Sequence, residues 1–135
     1  MDATLVKLAV VGVIGVHGIG HLLGWVPAWG IARFEGMSSH SWVLTATVGD
    51  GAARAAAGLL FIVPTVGFAA AAAALLLGQP WWRQAVVGSA VVSLAAIALY
   101  PQAFPASSTI GAVAVDLVLL YAILGAGWGA DAAAS

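Results

Sequence analysis

Two histidines, His17 and His21, stand four residues apart in the run His17-Gly18-Ile19-Gly20-His21-Leu22-Leu23-Gly24-Trp25. Residues i and i+4 lie on one face of a helix, so both imidazoles point the same way. Neutral imidazole is the commonest metal ligand, and His/His/carboxylate sets that keep a position open hold zinc or non-haem iron. Asp116 can supply the carboxylate, and His40 a fourth ligand if its segment folds inward. A bare divalent metal suits this spacing better than haem, because two histidines on one helix cannot bracket a single haem iron.

Other chemistry is open to the same groups. Each imidazole can serve as polar glue, hydrogen-bonding Asp116 or a facing carbonyl across the helix packing. Asp116 can relay protons, bind a cation or pair with Arg54, since an unpaired carboxylate in lipid costs several kcal/mol. Asp50 and Arg54 are themselves i, i+4 and can pair at a helix start. Ser38, Ser39 and Ser41 flank His40, but no nucleophile elbow or oxyanion signature accompanies them.

The elements that must position these groups are membrane spans. The 135 residues are 63% hydrophobic and 7% charged, with a mean hydropathy of +1.09. A soluble domain carries about 25% charge, so lipid is the solvent that fits. A spanning helix needs about 20 apolar residues, and the pattern gives four, over about 4–25, 52–77, 84–100 and 109–128. The expected fold is all-α, an antiparallel four-helix bundle in one transmembrane domain. Pro27 is expected to close the first span, Pro64 to kink the second, and Thr109 to cap the fourth. The first apolar run is too long for a signal-peptide core and carries two histidines. The segment from Pro27 to Gly51 is the one long connection, with a short helix expected near Ser41–Val48. The tail from Gly129 to Ser135 is expected to fray.

Depth follows from a rise of 1.5 Å per residue. His21 lies roughly 6–8 Å, and His17 roughly 12–14 Å, below the interface bearing the long connection. Asp116 lies roughly 9–11 Å below the same interface. Arg54 and Tyr100 sit just under it. Five polar side chains from four helices therefore share one half of the bilayer, with their common interior expected to open toward the long connection. Trp25, Trp29, Trp42 and Tyr100 fall at that interface, and Trp81, Trp82 and Trp128 at the other, as an aromatic belt requires.

Net charge is −1 and no basic cluster occurs, which excludes nucleic acid as a partner. Cysteine is absent, which excludes disulfides, thiolate metal sites and cysteine nucleophiles. The expected partners are the lipid bilayer and either further copies of the chain or a larger membrane complex, because glycines at 12, 15, 18, 20 and 24 make the first helix thin enough for close packing. The charge asymmetry between loops is slight. It leaves a multi-pass protein of the cell membrane with its termini in the cytoplasm as the expectation.

The run from His17 to Trp25 resembles the H-G-x-x-H-L-x-G-[FW] stretch in the first helix of a group of uncharacterised small four-span bacterial integral membrane proteins. The chain is similar to them also at Arg54-Ala55-Ala56-Ala57-Gly58-Leu59 and at Trp81-Trp82. Its four-span size is like that of the DoxX-like proteins, without a motif specific to them. The resemblance implies the span count and singles out His17 and His21; it implies no activity.

Overall fold

The structure is a computed structural model that describes residues 2–129; the rest of the tail expected to fray lies outside the described residues. Among the described residues it is helical throughout, in the order α1 (Ala3–Gly20), α2 (Leu22–Ala28), α3 (Leu44–Val48), α4 (Asp50–Leu76), α5 (Trp82–Leu99) and α6 (Ala106–Leu120). A π-helical turn, Tyr121–Gly125, continues α6. Four stretches are long and apolar enough to cross a membrane: Ala3–Ala28, Asp50–Leu76, Trp82–Leu99 and Ala106–Gly125.

Two local expectations are corrected. Pro27 does not close the first span; it sits within α2, which ends at Ala28. The first span instead breaks at His21, where the chain makes a single-residue turn between α1 and α2. Two glycines directly before or near that turn, Gly18 and Gly20, weaken the helix there, and His21 N–H bonds back to the Gly18 carbonyl at 3.2 Å. Thr109 does not cap the last helix, which starts at Ala106. Its hydroxyl instead donates to the Pro105 carbonyl at 3.2 Å, bonding back one turn. Pro64 is buried inside α4, which continues through it as one helix.

The helices are laid side by side. α4 packs against α1, α2 and α5, and α5 packs against α6, while α1 and α6 face each other without a closely packed seam. The packing of α1 and α2 on α4 depends on glycine. A Cβ at Gly18 would stand 2.8 Å from Phe68 Cβ, and one at Gly24 would stand 2.5 Å from the Phe61 ring. Removing those side chains lets Phe61 and Phe68 of α4 press against the histidine-bearing segment. Close approach of this kind is the main source of helix affinity in lipid, where apolar burial supplies none.

The long connection is tied down by side chains. Ser41 Oγ accepts from Leu44 N, the first residue of α3, at 3.1 Å. Arg54 Nε donates to the Ala28 carbonyl at 3.2 Å, which joins the start of α4 to the end of α2. At the far end Lys7 Nζ donates to the Leu76 carbonyl at 3.1 Å, and Arg83 Nη2 to the Ile123 carbonyl at 2.9 Å. Both satisfy carbonyls that their own helix termini leave open. The tryptophans divide. Trp42 and Trp81 are exposed, as anchors are, whereas Trp82 is buried and packs edge-on against Trp128 at 5.2 Å.

Candidate metal centre

His17 projects from α1, His21 from the turn after it, and Asp116 from α6. His17 Nε2 and Asp116 Oδ1 are 2.7 Å apart. It is the only ion-pair geometry within 4.0 Å among the described residues. Asp116 is fully buried and His21 nearly so. One ligand atom from each of His17, His21 and Asp116 can be chosen so that all lie within 4.8 Å of one another.

Ser93 on α5 completes the arrangement. Its hydroxyl donates to Asp116 Oδ2 at 2.5 Å and lies 3.1 Å from His21 Nε2. A chain of polar contacts thus runs His17–Asp116–Ser93–His21 and crosses three spans. It leaves one atom over: His21 Nδ1 is buried without a hydrogen-bond partner.

Three phenylalanines wall the site. The His17 ring lies edge-on to Phe68 at 4.8 Å. The His21 ring stacks with Phe61 at 6.2 Å and with Phe68 at 6.1 Å, and meets Phe104 edge-on at 6.0 Å. The two imidazoles contact each other edge-on at 5.0 Å. Such walls exclude water and strengthen every electrostatic contact inside them.

The site opens sideways. A cleft of about 650 Å³ runs between α1 and α6, bounded by Val13 and Val16 on one side and Gly111 and Val115 on the other, with His17 and His21 in its wall. The expectation of an opening toward the long connection is therefore corrected: the cleft faces the flank where α1 and α6 fail to close on each other. The small residues Gly12, Gly20 and Gly111 line it, so no side chain fills the gap.

Three of the residues expected near this cluster lie elsewhere. Arg54 faces neither histidine nor Asp116; seven residues separate it from Phe61, about 10 Å along the helix, and its Nε is bonded to Ala28. It makes no ion pair with Asp50 or Asp116. Tyr100 is buried, but its hydroxyl donates to the Ala53 carbonyl at 2.6 Å. Its ring packs with that of Phe61 in the site wall, at 6.0 Å between centroids. His40 is exposed and lines a separate pocket with Arg33, Asp50 and Arg54, so it is no fourth ligand.

Ser93, Phe61, Phe68 and Phe104 were not singled out by the sequence. A signal for Ser93 was present: it lies seven residues before the end of the third span, about 10 Å deep by the same rise per residue. Ser89 and Ser93 are also i, i+4 on an otherwise apolar helix.

The donor set fits a divalent ion. Two imidazoles and a carboxylate are the ligands of open three-residue zinc sites, with bonds of about 2.0–2.2 Å. Tetrahedral ligands at that length stand about 3.3 Å apart. The closest pair, at 2.7 Å, must open by roughly half an ångström to reach that spacing, and pairs near the 4.8 Å bound must close by more. No family model, no curated protein and no solved structure matches the chain.

Proposed function

We propose that this chain is a multi-pass protein of the cell membrane, with cytoplasmic termini, that binds a divalent metal ion through His17, His21 and Asp116. The remaining coordination position faces the α1–α6 cleft, where a small polar ligand can reach it. The observation that carries this reading is the convergence of three ligand atoms within 4.8 Å, with His21 and Asp116 buried and His17 half-buried. Polar glue between helices accounts for it less well. One imidazole against one carboxylate would suffice for glue, whereas here a second imidazole is buried beside the first with a nitrogen left unpaired. Such an atom costs about 1–3 kcal/mol unless something binds it or its neighbours.

Elemental analysis and an absorption spectrum of detergent-purified protein test the reading. About one equivalent of a divalent metal per chain is expected, absent from His17→Ala and His21→Ala. No metal, no Soret band and no thermal response to divalent ions would remove it.

A second reading rests on its own observation. Cβ atoms added at Gly12, Gly15, Gly20 and Gly111 would meet nothing within 4 Å, so α1 and α6 carry open small-residue surface. Surfaces of that kind receive other membrane helices. A second copy of the chain, or a subunit of a larger complex, fits against this flank in an accessory role.

A further inference from the structure

A second pocket lies where the first span ends and the second begins. It encloses about 320 Å³ and is lined by Arg33, Ser38, Ser39, His40, Asp50 and Arg54, together with apolar residues of the connection. Its charges are not matched to each other: neither arginine has a carboxylate within 4.0 Å, among the described residues. Arg54 is held in place through Nε, bonded to the Ala28 carbonyl at 3.2 Å. That bond uses one of its five donors and leaves the terminal nitrogens for a ligand. Asp50 stands in the first turn of α4, where the helix dipole favours its negative charge.

The level is that of lipid headgroups. Ala28 closes the first candidate span and Asp50 opens the second. Trp29 and Trp42 are exposed at the same end, and Trp42 is fixed by an Nε1 bond to the Ala98 carbonyl at 2.8 Å. Exposed, oriented tryptophans mark the membrane–water boundary.

We propose that this pocket binds a phosphoethanolamine group. The two guanidiniums and the serine hydroxyls take the phosphate, for which the planar arginine fork is well shaped. The Asp50 carboxylate takes the ammonium. A purely anionic ligand would satisfy the arginines and leave Asp50 facing like charge. A zwitterion satisfies both signs. The group can belong to a membrane lipid or to free phosphoethanolamine, and the chemistry of recognition is the same. The proposal is independent of any metal at His17, His21 and Asp116.

The test is native mass spectrometry of the full chain, released from nanodiscs of equal parts phosphatidylethanolamine and phosphatidylglycerol. Retention of phosphatidylethanolamine is expected to exceed that of phosphatidylglycerol about five-fold, the effect of one partly exposed ion pair. Asp50→Asn brings the ratio to parity, and Arg33→Gln lowers retention of both lipids. Arg33 is exposed, so its substitution is expected to leave the fold intact, checked by an unchanged thermal midpoint without added lipid. A soluble arm adds millimolar phosphoethanolamine to the lipid-loaded protein. Full displacement assigns the site to the free compound, and persistence of the lipid assigns it to the membrane. Equal retention of the two lipids by the wild type, or a ratio unmoved by Asp50→Asn, overturns the proposal.

Discussion

Ser93→Ala tests whether the buried polar groups act as one network. The serine hydroxyl donates to Asp116 Oδ2 at 2.5 Å and lies 3.1 Å from His21 Nε2. Its removal deletes a hydrogen bond to a carboxylate, worth about 1.5–3 kcal/mol in water-soluble cores. It also leaves His21 with neither ring nitrogen paired, since Nδ1 has no partner to begin with. Interhelical hydrogen bonds in bilayers are weaker, averaging about 0.6 and reaching about 1.7 kcal/mol. The expected loss is therefore about 2 kcal/mol, set by the strong bond and the newly orphaned nitrogen together. Asp116→Asn keeps the shape, removes the charge and weakens the same contact. Reversible unfolding in mixed micelles, followed by tryptophan fluorescence, gives both single losses and that of the double variant. Contacting residues couple by about 0.5–3 kcal/mol, whereas independent ones add within about 0.3–0.5 kcal/mol. We expect the double variant to be more stable than the sum of the singles implies by about 1 kcal/mol. Additive losses would refute the network, and with it the idea that α5 helps to hold the site.

Further expectations follow from the same contacts. Asp116→Asn removes the anionic ligand, which lowers metal affinity by at least about 100-fold, the upper range for loss of a supporting group. At a metal concentration of about 100 times the wild-type Kd, the stabilisation falls from about 2.7 to about 0.4 kcal/mol, readable as a thermal shift with and without metal. Gly18→Ala forces a Cβ to 2.8 Å from that of Phe68 and costs about 1–3 kcal/mol in the same unfolding assay. Gly12→Ala meets nothing within 4 Å, so it leaves the monomer as stable as before; a change in oligomeric state on size-exclusion chromatography with light scattering would locate a helix partner there. Tyr100→Phe loses the bond to the Ala53 carbonyl at 2.6 Å. It costs about 1 kcal/mol of stability and leaves metal binding unchanged, because Tyr100 does not reach the cluster.

Hydropathy made the four spans and their antiparallel order legible, because nine charged residues in 135 leave little ambiguity about where lipid must lie. Rise per residue set His17, His21 and Asp116 at one depth, and the structure brings those three together. Depth alone does not fix direction around a helix axis, which is why Arg54 and Tyr100, near the same interface, turned out to serve other contacts. The depth and spacing signal at Ser93 was ambiguous for a different reason: a hydroxyl in an apolar helix bonds its own backbone as readily as a neighbour, and only the placement of α5 beside α6 decides. The sideways opening was beyond sequence reasoning too. It arises because α1 packs on α4 and α6 on α5 without packing closely on each other, and four amphiphilically similar helices do not disclose their neighbour order. The break at His21 shows one local signal outweighing another. Pro27 is tolerated inside α2, and glycine-weakened backbone near His21 gives way instead.

X-ray absorption of zinc-loaded protein tests the shared metal site most directly. The account predicts nitrogen and oxygen scatterers at about 2.0–2.1 Å, with the outer-shell signature of two imidazoles, reduced to one imidazole in either His17→Ala or His21→Ala. A spectrum without imidazole scattering, or one unaltered by both substitutions, would contradict it.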